Sequence, residues 1–198
     1  MGEAIMVGMA EIKVTTSPDD ILIALGLGSC VGICAYEPNV GVAGMAHVVL
    51  PESQGNESAN GKFADTAIPG LIRQMVEMGA VTSRIRIAIV GGAQLFAFNG
   101  TGVRLEIGPR NARAVTAALE KACIPVVATD LGGSAGRTVH LTGDGRVRLK
   151  VIGTAERELI SLGKAEGGAG RAAPAFAAKN LAANALGADT PRGSQGAD

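Results

Sequence analysis

The feature of this sequence that most constrains its fold is a long apolar stretch, interrupted once by a turn. Residues 21–36 carry no charged side chain, and residues 40–51 return to the same composition after Glu37-Pro38-Asn39. Residues 21–36 are shorter than the ~20 residues that a membrane-spanning helix needs, and three glycines interrupt them. We therefore predict buried strands over 21–29 and 30–36, with 40–51 returning beside the second as a hairpin.

Short strands and two helices account for the rest of the folded part. Apolar residues recur at helical spacing over 61–79 and 110–122, whereas residues 12–17 alternate as an edge strand would. Further strands are predicted at 84–90, 103–107, 124–130, 137–142 and 146–152. Strands that cluster around two inserted helices predict an α+β fold, a mostly antiparallel sheet or sandwich with two main helices.

The composition of the chain changes near residue 155. Residues 1–155 hold the predicted strands and helices, whereas the last part is rich in Ala and Gly and poor in bulky apolar side chains. Such a segment has little apolar surface to bury. We predict one domain over 1–155 and a mostly disordered tail over 156–198.

Charge and targeting signals limit the partners. Lys plus Arg equals Asp plus Glu, at 18 each, so the sequence lacks the basic excess that is typical of a nucleic-acid-binding protein. The N-terminus has no basic segment followed by an apolar run, so we expect no signal peptide and a cytoplasmic location without membrane insertion.

The cysteines, histidines and glycines argue against a cofactor. Three cysteines in no regular spacing predict reduced thiols rather than a disulfide framework. With only two histidines to join them, we expect no metal site. The pair Gly91-Gly92 is not followed by Lys-Ser or Lys-Thr, so we predict no phosphate-binding loop and no cofactor.

Cys30 and His47 are the best candidates for chemistry. Gly28 and Ser29 precede Cys30, and glycine beside a thiol lets main-chain N–H groups reach a developing oxyanion. A hairpin turning at Pro38-Asn39 would place Cys30 opposite His47, with Cβ atoms ~4.5–5.5 Å apart. An imidazole there could take the thiol proton. Taken alone, Cys30 is better explained as an inert buried cysteine, and the alternative for His47 is a hydrogen-bonded core histidine. A shift of one residue in the register would separate the pair.

The other thiols and the second histidine have simpler interpretations. Cys34 shares the parity of Cys30 and His47 and is predicted to be packing. Cys123 follows the second helix and is predicted to lie in the core. His140 is predicted to face solvent if its strand neighbours are buried.

Seven sequence blocks, in order over roughly residues 10–153, resemble the CheD family of chemoreceptor glutamine deamidases. The blocks are LGLGSCVGICAYEP (25–38), GMAHVVLP (44–51), KFADTAIPGLI (62–72), IVGGAQLF (89–96), IGPRNARAV (107–115), IPVVATDLGGSAGRTVHL (124–141) and GRVRLKVI (145–152). The resemblance implies a fold related to the glutamine-deamidating bacterial toxins, with Cys30 and His47 as the catalytic pair and no cofactor.

The resemblance also shows one departure. The family often has a catalytic Thr six positions before the cysteine, and this chain has Ala24 there. Ser29 or a backbone carbonyl would then orient the imidazole, and N–H groups near Gly28 and Ser29 would hold the oxyanion.

By resemblance, the Cys30 thiolate attacks glutamine side chains of chemoreceptors, releases ammonia and leaves glutamate. The implied partners are the cytoplasmic domains of the receptors and a CheC-type phosphatase. Two alternatives stay open. The chain could be a chemotaxis adaptor that binds receptor or phosphatase with little catalysis, or a cysteine peptidase or transglutaminase.

Overall fold

The structure, a computed structural model, describes residues 2–55, 61–95 and 106–164. These residues form ten β-strands and two α-helices. The strands are β1 (Ala4–Met6), β2 (Ile12–Thr15), β3 (Ile21–Leu27), β4 (Val31–Glu37), β5 (Val42–Val48), β6 (Arg86–Gly91), β7 (Val126–Leu131), β8 (Arg137–Thr142), β9 (Arg146–Val151) and β10 (Arg157–Ser161). The helices are α1 (Ala64–Glu77) and α2 (Ile107–Lys121).

The strands form two five-stranded sheets. Sheet I has the order β1-β3-β8-β9-β10, and sheet II has the order β2-β5-β4-β6-β7. The β1–β3 and β6–β7 pairs are parallel, and the other six pairs are antiparallel. The predicted α+β class, with mostly antiparallel strands and two main helices, is confirmed.

Sheet II is the middle layer of three. One face packs on sheet I through an inter-sheet cluster that includes Leu22, Leu27, Cys34, Met45, Val139, Leu141 and Leu149. The other face packs on the helices through a cluster that includes Ile33, Ile87, Ile89, Leu71, Met75, Val115 and Leu119. Strands β4 and β5 are buried along their whole length because both faces of this sheet are covered. That burial explains their uninterrupted apolar sequence.

The β4–β5 hairpin has a different register from the predicted one. Gly32 pairs with His47, and Glu37 pairs with Val42, so the loop spans four residues and the predicted Cys30–His47 pairing is wrong. Gly41 permits the longer loop because its φ of 69° is left-handed. The register differs by two residues, and a shift of two leaves every side chain on its predicted face.

The helices and most strands lie where apolar spacing predicted them. Strand β2 is an edge strand of sheet II, as expected. The predicted strand 103–107 is wrong at its last two residues, since Glu106 caps α2 and Ile107 begins it, and residues 103–105 lie outside the described residues. Neither helix of the described ranges is both long and apolar enough to cross a membrane.

Two strands had no sequence prediction. Strand β1 has three residues and pairs with β3. Strand β10 pairs with β9 beyond the predicted domain boundary at residue 155, so sheet I continues past that boundary. Residues 165–198 of the predicted tail lie outside the described residues.

Candidate active site

Cys30 lies in the bend between β3 and β4, immediately before β4 begins. Its side chain is partly buried and packs against the inter-sheet cluster. Burial raises the pKa of the Cys30 thiol above its ordinary value of 9.0, although a hydrogen bond from its own main-chain N–H partly offsets this effect. The thiol is therefore protonated at neutral pH.

His47 faces the same side of sheet II as Cys30. On β5 it alternates with Ala43 and Met45, which both belong to the inter-sheet cluster. The residue is almost fully buried, with 3% of its surface exposed. Burial lowers the pKa of the imidazole below its ordinary value of 6.5, so the ring is neutral at pH 7.

The main-chain carbonyl of Val7 fixes the state of this ring. His47 Nδ1 lies 3.2 Å from that oxygen, and a carbonyl only accepts hydrogen bonds, so Nδ1 carries the proton of the neutral ring. Nε2 then holds the free lone pair, and it is buried with no hydrogen-bond partner among the described residues. The backbone-carbonyl alternative for the orienting group therefore agrees with the structure.

The Val7 carbonyl is itself held in place by main-chain bonds. Val7 N–H donates to Ile23 O at 2.8 Å, which attaches the residue to β3. Farther along, His47 N–H donates to Glu11 O and Ala10 N–H donates to His47 O, both at 3.0 Å. The segment after β1 is thus hydrogen-bonded to the His47 main chain and, through Val7 O, to its ring, which limits ring motion.

The structure brings Cys30 and His47 to one face without a hydrogen bond between them. Within the described part of the chain, His47 Nε2 has no partner. His47 lies opposite Gly32, two residues beyond Cys30, and such diagonal pairs have Cα atoms roughly 7–8 Å apart, with Cβ atoms somewhat closer. Gly32 adds no side chain on this face between them.

The main chain around Cys30 is held through its carbonyls. Gly28 O accepts from Ala93 N–H at 2.7 Å, and Cys30 O accepts from Gly92 N–H at 2.8 Å. Ser29 O accepts from the Asn111 side chain at 2.9 Å. In the described ranges, the N–H groups of Ser29 and Cys30 donate to no main-chain carbonyl, and the Cys30 N–H contacts its own thiol.

The glycine pair Gly91-Gly92 at the end of β6 allows this close approach. A methyl group at Gly91, whose φ is 120°, would lie 2.2 Å from the Cys30 carbonyl oxygen. A methyl group at Gly108 of α2 would lie 2.2 Å from Ala93 O. The pair Gly91-Gly92 thus supports the cysteine segment through main-chain contact.

Sequence reasoning missed Asn111, which is fully buried on α2. Its Nδ2 donates to Ser29 O at 2.9 Å and to Val49 O at 2.8 Å. The available signal was a polar residue at helical spacing from Val115 and Leu119, on the face of α2 that packs against the sheet.

The remaining predicted thiols differ from each other. Cys34 is packing, as predicted, and full burial raises the pKa of its thiol to about 12. The core prediction for Cys123 is wrong, because this residue is exposed. It has a φ of 55° and directly follows the last capping residue of α2, a position that turns the chain away from the helix.

His140 lies on β8 away from the core. Its neighbours Val139 and Leu141 are buried, and its own ring is partly exposed with Nδ1 2.6 Å from Glu156 Oε1. This placement agrees with the prediction and removes His140 from the candidate site.

Among the described residues, two cavities lack Cys30 and His47 in their linings, and the possible metal ligands do not form a group of three or more. Cavities of about 470 Å³ and 660 Å³ lie beside α2, and neither is lined by Cys30 or His47. Over residues 2–55, 61–95 and 106–164, no three His, Cys, Asp or Glu side chains come together as metal ligands would.

The sequence from residue 49 onward, which follows the segment carrying Cys30 and His47, matches a known family. The family model described as CheD chemotactic sensory transduction matches residues 49–151, about half of the chain. The chain belongs to the CheD family. The matched range begins after Cys30 and His47, so the family match carries no information about these two residues.

Curated relatives extend the similarity of this CheD-family chain. It is 43% identical over 159 residues to a protein of Desulfitobacterium hafniense, covering 79% of this chain and 99% of the relative. A Symbiobacterium thermophilum protein is 43% identical over 157 residues (77% and 95%), and one from Caldanaerobacter subterraneus is 46% identical over 150 residues (74% and 92%). Each bears the name "Probable chemoreceptor glutamine deamidase CheD".

A solved structure, that of the Bacillus licheniformis hypothetical protein YfiH, has a TM-score of 0.36 to this CheD-family chain. The match is 16% identical and covers 63% of this chain and 50% of that chain.

Proposed function

We propose that this chain deamidates glutamine side chains of chemoreceptors, with Cys30 as nucleophile and His47 as base. The names of its relatives supply the reaction class. The observation that carries the assignment of residues is the unpaired, buried Nε2 of His47, which is on the same face as the Cys30 thiol. A neutral imidazole with a free lone pair is the group that a protonated thiol needs for activation.

The first step forms the tetrahedral intermediate. As the substrate carboxamide binds, Cys30 turns about χ1 toward His47, and Nε2 takes the thiol proton. The sulfur attacks the carboxamide carbon, and the oxygen that becomes negative accepts from the N–H groups of Ser29 and Cys30. Because burial raises the pKa of the thiol and lowers that of the imidazole, the ion pair forms only during this step.

The second step releases ammonia and then water restores the enzyme. The imidazolium returns its proton to the nitrogen as the C–N bond breaks, which leaves a thioester on Cys30. Nε2 next takes a proton from water, whose oxygen attacks the thioester, and the proton returns to the departing sulfur. The net change is glutamine plus water to glutamate plus ammonia. The Val7 carbonyl keeps the ring oriented throughout.

The proposed substrate places this protein at the cytoplasmic domains of chemoreceptors, and a CheC-type phosphatase is a further proposed partner. A second candidate function is an adaptor that binds these partners with little catalysis. Ala24, at a position where the family often has a catalytic Thr, favours that candidate.

Mass spectrometry of a chemoreceptor cytoplasmic fragment separates these functions. We expect the wild-type chain to convert specific glutamines to glutamates, Cys30→Ala to convert none, and Cys123→Ala, which changes an exposed and remote thiol, to match wild type. Deamidation by Cys30→Ala would refute the nucleophile. Binding of the receptor fragment without ammonia release would indicate that the chain is an adaptor. Cleavage of the fragment backbone would indicate a peptidase.

A further inference from the structure

Asn111 connects the two segments that carry the nucleophile and the base. One amide group donates both of its N–H bonds to main-chain oxygens, one on Ser29 and one on Val49. Ser29 immediately precedes Cys30, and Val49 follows His47 by two residues. The two oxygens are 20 residues apart in the sequence, so the contact is a tertiary one.

The two Asn111 hydrogen bonds lie just beyond the end of the β4–β5 hydrogen-bond ladder. The last paired residues are Val31 and Val48. Beyond them, Val49 and Leu50 both donate to Lys62 O at 2.9 Å, while the Cys30 carbonyl binds the loop after β6. The two strands thus stop bonding to each other at the point where their reactive side chains must meet.

We propose that Asn111 is a positioning residue that sets the spacing between Cys30 and His47 by tying the Ser29 carbonyl to the Val49 carbonyl. This inference rests on the function proposed above. Asparagine suits the role because its amide carries two N–H donors in one fixed plane. A hydroxyl or an apolar side chain would leave at least one of the two carbonyls without this donor.

The support behind Asn111 is rigid. On the same face of α2, one turn after Asn111, Val115 is fully buried against the sheet. One turn before Asn111, Gly108 lies against Ala93 O, in the loop that binds Gly28 and Cys30. Helix α2 therefore contacts the cysteine segment both directly, through Asn111, and indirectly, through that loop.

Two substitutions separate positioning from packing. Asn111→Leu fills a similar volume with no donor, and Asn111→Ala removes volume and donor together. The matched control is Leu119→Ala, which weakens the same face of α2 without touching Ser29 or Val49. All variants are compared with wild type at a temperature where circular dichroism shows them folded. If Asn111→Ala does not fold, Asn111→Leu decides.

Deamidation kinetics and thiol alkylation supply the two readouts. We expect kcat to fall by about 10- to 100-fold in both Asn111 variants, because a displacement on the order of 1 Å is costly to a reacting pair, while KM changes little. Because His47 Nε2 would take the thiol proton while the sulfur attacks iodoacetamide, we expect both Asn111 variants to be labelled at Cys30 at pH 7 as slowly as His47→Ala. Leu119→Ala should keep the wild-type kcat and the wild-type rate of Cys30 alkylation.

The proposal is overturned if Asn111→Leu keeps the wild-type kcat and alkylation rate, or if Leu119→Ala loses as much as the Asn111 variants. The two levels of inference fail separately. If wild type releases no ammonia but the Asn111 variants still slow Cys30 labelling, the deamidase assignment fails and the positioning role stands.

Discussion

His47 Nδ1 lies 3.2 Å from the main-chain carbonyl oxygen of Val7, forty residues earlier in the chain. This carbonyl orients the imidazole in a protein where Ala24 offers no side-chain acceptor. Unlike a carboxylate, a carbonyl brings no negative charge that would strongly raise the pKa of the ring. Burial therefore dominates, and the His47 ring is neutral with its lone pair on Nε2.

Nitrogen NMR should detect this tautomer directly. The chain has two histidines, so His140→Asn leaves one ring to observe. We expect a proton on Nδ1, none on Nε2, and a titration midpoint below 6.5, because burial lowers the pKa of His47. A proton on Nε2, or a midpoint above 6.5, would contradict the geometry of the Val7 contact.

The same burial makes folding stability depend on pH. Since the pKa of His47 is lowered in the folded state, the unfolded chain binds the proton first as the pH falls. Stability contributed by the neutral ring is therefore present above about 6.5 and is lost as the pH drops toward the folded-state pKa. In urea unfolding between pH 5 and 8, the free energy of unfolding should fall less on acidification in His47→Asn than in wild type.

His140→Asn is the matched control for that measurement. His140 is partly exposed and paired with Glu156. Its substitution should therefore leave unchanged the decrease in unfolding free energy that His47 causes at low pH. Equal pH profiles for wild type and His47→Asn would show that His47 is not buried in its neutral form.

The sequence predicts the layers of this fold better than its registers. The apolar runs of β4 and β5 follow from burial on both faces of one sheet, a local property of composition. Their register depends on the loop, and the loop of four residues requires Gly41 in the left-handed conformation. The shared face of Cys30 and His47 was still predictable, because a shift of two residues keeps parity.

The groups that hold the site were not predictable in the same way. Val7 acts through a carbonyl, which every residue has, and its position depends on a three-residue strand paired with β3. Asn111 bonds to main-chain oxygens 82 and 62 residues away. No periodicity within a helix or strand encodes such tertiary contacts, although a buried polar position on α2 marks one of them.

Substituting Gly91 should directly disturb the backbone of Cys30, the proposed nucleophile. The methyl group of Gly91→Ala would lie 2.2 Å from Cys30 O, at a φ of 120° that side chains rarely adopt. We expect a stability loss on the order of 1–3 kcal/mol from the strained backbone. Because the Cys30 carbonyl must move, we also expect a strong loss of deamidation.

Gly153→Ala provides the control for backbone strain alone. Gly153 has a φ of 85° and nothing within 4 Å of the added methyl group, so it should lose stability and keep activity. Unfolding in urea and ammonia release measure the two effects. Full activity in folded Gly91→Ala would mean that the Cys30 carbonyl contact does not position the proposed nucleophile.

The three thiols should differ in their rates of alkylation. Cys123 is exposed, Cys30 is partly buried with a raised pKa, and Cys34 is fully buried with a pKa of about 12. We expect Cys123 to react first, Cys30 more slowly, and Cys34 only after unfolding, as measured by peptide mass spectrometry after iodoacetamide treatment. Labelling of Cys34 in the folded protein would contradict its place between the sheets.

The ends of the two helices offer a paired test of backbone strain. Cys123 and Gly79 occupy equivalent positions after α2 and α1, with φ values of 55° and 95°. In both, the next residue donates to a carbonyl five positions back, Ile124 to Leu119 and Ala80 to Met75. A left-handed conformation costs a side chain roughly 1–2 kcal/mol. We therefore expect Cys123→Gly to raise the free energy of unfolding by up to about 1 kcal/mol and Gly79→Ala to lower it by a similar amount. Urea unfolding checks both, and a loss of stability in Cys123→Gly would mean that the thiol makes a contact that outweighs its strain.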